Sequence, residues 1–178
     1  IKSLAGKGAW MMMQRSFKKE VIDEKIKKEM TKEFIDFYSK NIANDSRPFD
    51  GLFEFLEWAK SKNISMAVCT NKQEKLAVDL LKKLNLFNYF EYIAGSDTFD
   101  YNKPDPRHLT DVVEIIGGDL KKTIMVGDSE VDEMAASNAK LPFILVADGY
   151  TEKTKEQIKH DFLIKDYVGF DKIILKYL

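Results

Sequence analysis

From about residue 51 onward, short apolar runs alternate with segments of helical periodicity. Strands are predicted at residues 64–70, 89–94, 123–126 and 143–146, with one more in the tail at 162–178. Because the runs are continuously apolar, each strand is expected to be buried on both faces, and the helices between them supply the crossover connections of a parallel sheet. The pattern predicts an α/β fold with a parallel sheet and helices on both faces.

Helical segments fill the spaces between these strands. They are predicted at 51–60, 76–84, 109–116 and 131–139, the third ending at Gly117 and Gly118, because glycine suits the left-handed turn that terminates a helix. Upstream, residues 21–42 carry an apolar stripe at helical spacing that predicts a long core-facing helix: Ile22, Ile26, Met30, Phe34, Phe37, Tyr38 and Ile42. The polar stretch 44–48 separates a helical region, 1–46, from the α/β core, 47–178.

Composition excludes several classes of function. The 28 Lys and Arg residues balance 29 Asp and Glu residues, so the net charge of -1 gives no global field for nucleic acid or an anionic membrane. One cysteine, Cys69, cannot form an internal disulfide, and two histidines are too few for a Cys/His zinc cage. No apolar run approaches the roughly 18 residues that span a bilayer. These features favour a globular protein of the reducing cytosol that binds a small partner at a local site.

The first candidate site follows the strand that ends at Cys69. In an open parallel sheet, ligands bind beyond the carboxyl ends of the strands, so the first polar residues there carry the chemistry. Thr70 and Asn71 occupy this place, and a Thr hydroxyl with the next backbone amide can hold a phosphoryl oxygen at a helix N-terminus. The alternative is a helix cap without function.

The second candidate is Lys103, which lies in the sequence Tyr-Asn-Lys-Pro-Asp-Pro. Two prolines restrict the backbone around this cation just before a predicted helix. A lysine held in this way can neutralise charge on a phosphoryl group and on a neighbouring carboxylate. The alternative is a solvated lysine in a surface turn.

The third candidate is the acidic turn Gly-Asp-Ser-Glu-Val-Asp at 127–132, after a fully apolar strand. Asp128 stands at the edge of the sheet, and Asp132 follows one helical turn later on the same side. Two such carboxylates suit Mg²⁺, which prefers oxygen ligands and is commonly held by one or two carboxylates with a substrate phosphate. The alternative is an Asp cap followed by an acid in the first helical turn.

Taken in order, Thr70, Lys103, Asp128 and Asp132 resemble the motifs of the haloacid dehalogenase superfamily. The resemblance includes the apolar run that ends in Thr-Asn, the Lys-Pro-Asp-Pro turn, the Gly-Asp-Ser-x-x-Asp loop with its small-residue helix 135–139, and Asp-Gly-Tyr at 148–150. Within the superfamily the arrangement is similar to the phosphoglycolate phosphatases. Lys7 and the helices after it resemble the latter part of the helical cap that such enzymes insert.

The resemblance implies a Rossmann-like core, a partial helical cap at 1–46 and a phosphatase that acts on a small phosphorylated metabolite with Mg²⁺. Asp128 would bind the metal and Asp132 would orient the metal shell. Thr70 and Asn71 would hold the phosphoryl group, and Lys103 would balance charge; these three residues are therefore both the catalytic and the substrate-binding candidates. Phosphoryl transfer depends mainly on positioning and electrostatic stabilisation, which such a set can supply.

The family's nucleophile is the first residue of an Asp-x-Asp pair, and no two aspartates of this sequence are two positions apart. We therefore expect a further upstream segment that carries this pair on a strand between those ending at Thr70 and at Val126. Without it, backbone groups on the facing edges would stay unpaired, at about 1–3 kcal/mol each. The chain alone is expected to be unstable and inactive.

Other interpretations of the sequence stay open. A phosphomutase of the same superfamily would differ in its cap residues, whereas a dehalogenase would not need the acidic metal loop. A catalytically inactive binding module would keep the fold and lack the nucleophile.

Lys7, Arg15 and Arg47 could contact a substrate carboxylate from the cap, with solvated surface charge as the alternative. Cys69, His108 and His160 are assigned no chemistry, since the cysteine lies in a buried strand and the histidines are expected on the surface.

Overall fold

The computed structural model describes residues 9–17, 22–147, 149, 151 and 153–177. Lys7, Asp148 and Tyr150, which contribute to the resemblance, lie outside these residues. Twelve regular elements follow one another in the described chain: α1 (Ala9–Ser16), α2 (Glu24–Lys40), α3 (Leu52–Ser61), β1 (Ala67–Cys69), α4 (Glu74–Lys83), β2 (Tyr92–Ala94), α5 (Arg107–Ile115), β3 (Met125–Gly127), α6 (Glu130–Ala139), β4 (Phe143–Val146), β5 (Phe162–Ile164) and α7 (Phe170–Ile174).

All the strand pairs of the described chain are parallel, as predicted. β1 pairs with β2, with Val68 opposite Ile93. β4 lies between β3 and β5, and its Ile144 is opposite Val126 on one side and Phe162 on the other. The strands are shorter than predicted because pairing begins only at Ala67 and at Met125, two or three residues into each apolar run.

β4 shows why both faces of the sheet are covered. All four of its residues are buried, and successive side chains of a strand point to opposite faces. Phe143 and Leu145 enter one apolar cluster with residues of α5 and α6, whereas Ile144 and Val146 enter another with α7 and α3. The prediction of an α/β fold with helices on both faces is confirmed.

The two N-terminal helices pack against each other. α1 packs against α2, where the Lys27 ammonium donates to the Gln14 side chain at 3.1 Å. The predicted core-facing stripe of α2 is only partly correct, because Ile26 is 49% and Phe37 is 69% exposed. Among the described helices, the short α1 is the main one that packs on α2, and part of the stripe stays in solvent. The division of the chain at residue 46 stays a prediction.

The end of α5 agrees with the glycine signal in the sequence. α5 ends at Ile115, and Gly117 adopts a positive φ of 69° directly after the C-cap residue Ile116, as the pair of glycines predicted. Among the described helices, none combines the length and the apolar character that a membrane crossing requires.

The two sheets are not paired with each other. β1 and β3 belong to different sheets of the described chain, so direct pairing, which would have refuted the expectation of a strand between them, is not observed. A cavity of about 570 Å³ lies between them and is lined by Val68 and Cys69 of β1, Met125 and Val126 of β3, and apolar residues of α3, α5 and α7. Whether a further strand fills this cavity stays a proposal.

Candidate active site

Thr70 begins the loop after β1. Its backbone N–H donates to Ala94 of β2 at 2.9 Å, and its hydroxyl accepts the Lys72 N–H at 3.1 Å. Helix α4 begins at Glu74 with Gln73 as its N-cap, so the alternative that Thr70 is a helix cap without function is not observed. Thr70 instead closes a tight turn with its own side chain, as Ser and Thr commonly do. The hydroxyl is therefore fixed at the carboxyl edge of the sheet without the support of a helix dipole.

Asn71 connects this loop to the second candidate site. Its side-chain amide donates to the backbone carbonyl of Lys103 at 3.0 Å. This contact joins the loop after β1 to the turn before α5, which are 32 positions apart in the sequence. The neighbourhood of Thr70, Asn71 and Lys103 that the order of motifs predicted is present.

Lys103 and Asp132 form a buried ion pair. The Lys103 ammonium lies 2.6 Å from Oδ1 of Asp132, and the two side chains are 9% and 7% exposed. The alternative of a solvated lysine in a surface turn is therefore wrong. A buried lysine requires a compensating charge, and the acidic turn supplies it.

Both oxygens of Asp132 are occupied by protein donors. Oδ2 accepts the Ser129 hydroxyl at 2.6 Å, the Ser129 amide at 3.0 Å and the Asp128 amide at 3.1 Å. Burial alone would raise the pKa of Asp132, but the Lys103 ammonium and the hydrogen bonds from Ser129 and Asp128 hold it below its usual value. Asp132 is thus an ionised carboxylate that shapes the turn and anchors Lys103.

Asp128 occupies a different environment one turn away. It is half-buried and directly follows β3, whereas Ser129, not Asp128, caps helix α6 in a capping box with Asp132. The alternative of an Asp cap is therefore not observed for Asp128. Burial, with a smaller contribution from the charge of Asp128, raises the pKa of Tyr167 to about 12, so this tyrosine stays neutral beneath the turn.

Two glycines allow this turn to form. A Cβ on Gly127 would lie 2.5 Å from the Cβ of Asp132, and a Cβ on Gly149 would lie 2.3 Å from the Cβ and 2.6 Å from Oδ2 of Asp128. Real Cβ atoms do not approach so closely, so any larger residue would displace one of the carboxylates. Thr151 fixes the same loop by donating to Glu130 at 2.6 Å.

The surroundings of Cys69 and the two histidines give no sign of reaction chemistry. Burial raises the pKa of the Cys69 thiol to about 11, which keeps the thiol protonated. His108 is fully buried, so its predicted surface position is wrong. Its Nε2 donates to the Gly95 carbonyl at 3.1 Å, and burial followed by the charge of Lys103 lowers its pKa. His160 is half-buried, and its Nδ1 donates to the Ile158 carbonyl at 2.7 Å.

The candidate site residues therefore come together at the carboxyl edge of the sheet. Among the described residues, no group of three or more His, Cys, Asp or Glu side chains is placed to hold a metal ion. Mg²⁺ is often held by one or two carboxylates with waters and a substrate phosphate, and Asp128 in its glycine-lined position fits one such ligand. Asp132 does not, because its oxygens already accept four hydrogen bonds.

Three residues in or near the candidate site were not identified as such from the sequence: Lys72, Tyr38 and Gly149. Lys72 directly follows Thr-Asn and contacts Tyr38 of α2, but no periodicity in either segment indicates this pairing. Gly149 was noted only as part of a motif. Position next to a predicted site residue was the one signal that could have drawn attention to Lys72.

A parallel α/β core with a Thr-Asn loop, a buried lysine and an acidic turn at the carboxyl edge defines a haloacid dehalogenase-type hydrolase, and family comparison agrees. Residues 1–146 match the family model of haloacid dehalogenase-like hydrolases, so the chain belongs to this family. The resemblance derived from the motifs is confirmed.

Two relatives of this chain are named as phosphoglycolate phosphatases. The chain is 39% identical over 180 residues to a phosphoglycolate phosphatase of Agrobacterium fabrum, covering 97% of this chain and 77% of the relative. It is 34% identical to a phosphoglycolate phosphatase of Caulobacter vibrioides, covering 100% of this chain and 76% of the relative. These relatives are phosphatases, and they agree with the expected class of enzyme, a hydrolase of phosphate monoesters.

Solved structures share the fold. A structure described as a predicted phosphoglycolate phosphatase from Haemophilus somnus 129pt has a TM-score of 0.90 at 26% identity, covering 97% of this chain and 80% of that chain. The β-phosphoglucomutase of Clostridium difficile has a TM-score of 0.78 at 22% identity, covering 99% of this chain and 79% of that chain. At that identity, the second likeness shows the fold alone.

Proposed function

We propose that this chain is the larger part of a Mg²⁺-dependent phosphatase that hydrolyses a small phosphate monoester, such as phosphoglycolate, through an aspartyl-phosphate intermediate. The observation that carries the proposal is the buried Lys103–Asp132 pair, joined through Asn71 to the Thr70 loop and through the Asp132 carboxylate to the Asp128 turn. An ion pair with a purely structural role does not require a connection to two strand ends. The named phosphatase relatives support the same class of substrate.

Each residue has a role that its surroundings support. The Thr70 hydroxyl and nearby backbone amides hold oxygens of the phosphoryl group. Lys103 lies close enough to the acidic turn to share its positive charge between Asp132 and the substrate, which is the electrostatic stabilisation that phosphoryl transfer needs. Asp132 keeps the ammonium in place and does not bind the metal directly.

Asp128 is the residue of this chain that would ligate Mg²⁺. The bound cation would supply positive charge to the phosphoryl oxygens. Gly149 leaves room for the Asp128 carboxylate, and Ser129 and Asp132 fix the backbone on which it stands. The chain therefore contributes one rigid carboxylate ligand.

The nucleophile belongs to a strand that this sequence does not contain, and the cavity between β1 and β3 is the place for it. The edges of both strands face an apolar space of about 570 Å³. A strand parallel to both would complete their backbone hydrogen bonds, and its carboxyl end would lie beside Thr70 and Asp128. We call the chain together with such an Asp-x-Asp strand the complete enzyme.

In that enzyme, one carboxylate of the pair would attack phosphorus as the bond to the ester oxygen breaks, and the second would give its proton to the leaving alkoxide. A water activated by the second carboxylate would then release inorganic phosphate and restore the first. The reducing cytosol is the proposed location, and the free, half-buried Cys69 is compatible with it.

The test measures phosphate release from phosphoglycolate by the complete enzyme, with Mg²⁺ and after its removal by a chelator. We expect turnover only with Mg²⁺, and a loss of at least about 100-fold in kcat for Asp128→Asn, because the lost ligand carries a full charge. Asp45→Asn, which changes an exposed aspartate far from the acidic turn in sequence, is the matched control. Undiminished turnover in Asp128→Asn would remove the metal assignment, and no phosphate release from any small monoester would remove the proposed function.

A further inference from the structure

Lys72 lies at the junction between the Thr70 loop and helix α2. Its backbone is fixed from two sides, since its N–H donates to the Thr70 hydroxyl at 3.1 Å and its carbonyl accepts the Ser96 N–H at 2.9 Å. The backbone position from which the Lys72 side chain extends is therefore fixed as well as that of Thr70.

The Lys72 side chain contacts a single aromatic residue. Its ammonium donates to the Tyr38 hydroxyl at 2.7 Å and lies 4.3 Å from the centre of the Tyr38 ring. Tyr38 stacks on Phe34, one turn earlier in α2, with ring centres 6.1 Å apart and planes at 13°. Tyr38 therefore holds the end of a long, flexible side chain in one place, and cation–π attraction adds to the hydrogen bond.

The charge of Lys72 is not neutralised in the described part of the chain. The salt bridges there join Lys103 to Asp132 and Arg107 to Asp105, and neither involves Lys72. A tyrosine hydroxyl and an aromatic face orient an ammonium without cancelling its charge. Lys103 faces Asp132 and, in the proposed function, the phosphoryl group. Lys72, in the loop that begins at Thr70, is therefore a described cation that can meet a second negative group of the substrate.

We infer that Lys72 is a specificity-determining residue, which binds a carboxylate on the substrate while Thr70 holds the phosphoryl group, and that Tyr38 is its positioning residue. This inference rests on the proposed function. A single ammonium suits the single charge of a carboxylate, whereas a second phosphoryl group would call for more donors. A short phosphorylated carboxylic acid is thereby favoured over a phosphorylated sugar, which offers no second anion to this position.

Lys72 differs in sequence position from Lys7, Arg15 and Arg47, the cations that could contact a substrate carboxylate from the cap. Arg47 is exposed after α2, whereas Lys72 comes from the core and is half-buried. Specificity would thus depend on a core residue whose orientation is set by a helix of the N-terminal region. Movement of α2 would change the position of the ammonium without moving Thr70.

The experiment compares two esters that differ only in the second anion, phosphoglycolate and ethyl phosphate, with the complete enzyme. The readout is the ratio of kcat/KM for phosphoglycolate to kcat/KM for ethyl phosphate. Lys72→Met should lower this ratio about 10- to 100-fold, because it removes a charge-assisted hydrogen bond. Lys72→Arg should restore part of the ratio, and Tyr38→Phe should lower it less than Lys72→Met by loosening the ammonium. Lys75→Met, an exposed lysine in the first turn of α4, should leave it unchanged.

Several outcomes would overturn the inference. An unchanged ratio in Lys72→Met, or equal losses for both esters, would show that Lys72 does not recognise the carboxylate and only connects α2 to the core. Thermal unfolding of each variant separates this structural role from recognition, because a structural role would lower the melting temperature without changing the ratio. If the unmodified enzyme hydrolyses neither ester, the proposed function fails, which is a different result from an unchanged ratio in an active enzyme.

Discussion

Replacing Lys103 by Met would leave the Asp132 carboxylate buried next to an apolar side chain. At 2.6 Å, two unit charges attract each other by about 6 kcal/mol at an effective dielectric constant of about 20. The desolvation of both ions opposes this attraction, so the pair itself contributes little net stability. Removing one partner is different, because the other charge loses its compensation. We expect Lys103→Met to lower the free energy of unfolding by about 3–5 kcal/mol.

The same turn contains a matched control. Arg107 and Asp105 are 2.7 Å apart, almost the distance of the buried pair, but their side chains are 61% and 30% exposed. Solvent screens such a pair, so Arg107→Met should have a much smaller effect than Lys103→Met. The two ion pairs have nearly the same N–O distance. Arg107 makes additional hydrogen bonds to Asp105 and lies over the Tyr101 ring, but its loss leaves the Asp105 carboxylate in contact with solvent.

Urea unfolding of the complete enzyme, followed by circular dichroism, measures both changes. A double variant, Lys103→Met with Asp132→Asn, should lose less than the sum of the single losses by about 1–3 kcal/mol, because the second change removes the charge that the first one left uncompensated. Equal midpoint shifts for Lys103→Met and Arg107→Met would refute the reasoning. Additive losses in the double variant would refute it as well, because they would mean that the two side chains do not interact.

Two further predictions concern the surroundings of the pair. Gly149→Ala would place a Cβ 2.6 Å from Oδ2 of Asp128, and we expect Mg²⁺ titration of turnover to show a roughly 10-fold weaker apparent affinity; an unchanged affinity would mean that the loop moves away at no cost. His108 has a pKa lowered by burial and by Lys103, so its contribution to stability is complete above its unfolded pKa of about 6.5 and is lost as the pH falls below it. Urea midpoints between pH 7 and pH 5.5 should therefore fall less steeply for His108→Gln than for the unmodified enzyme, and identical slopes would contradict the assignment.

The places of Thr70 and Asp128 at strand ends could be predicted because they depend on topology more than on exact strand boundaries. β1 and β3 each begin two or three residues later than predicted, yet Thr70 and Asp128 still follow them directly. In a parallel sheet the carboxyl ends meet at one edge, so an error in where a strand begins does not move the residue after its end. The apolar runs were sufficient for this part of the prediction.

Side-chain partners could not be predicted in the same way. His108 is fully buried although it is polar, because it lies one turn before Val112 on the apolar face of α5 and finds the Gly95 carbonyl there. Phe37 is largely exposed although it is apolar, because no described helix covers that side of α2. Periodicity assigns a residue to a face of its own helix, but burial depends on what another element places against that face.

The family resemblance assigns metal binding to Asp128 and orientation of the metal shell to Asp132, whereas the spacing of the two acids does not distinguish their roles. Two acids at this spacing are equally compatible with two metal ligands or with one ligand and one structural carboxylate. The choice depends on the Lys103 ammonium and on the Ser129 donors, which reach Asp132 and occupy its oxygens. Contacts across 29 positions of sequence, such as that between Lys103 and Asp132, arise only when the strands have been assembled.

The two sheets are connected by polar contacts at their carboxyl edge and by helix packing on one face. This arrangement affects how a further strand could pair with both. At the carboxyl edge, the Asn71–Lys103 and Lys103–Asp132 contacts connect the β1 loop to the β3 turn through polar groups. On one face, α5 contacts β1, β2 and α6, and α6 in turn packs on β3 and β4. Between β1 and β3 themselves the space is apolar and open. A strand entering this space would therefore find the catalytic edge already assembled, and would add backbone pairing and apolar burial beneath it. The described contacts set the geometry of the candidate site, and a strand that paired with both β1 and β3 would add stability to the sheet beneath it.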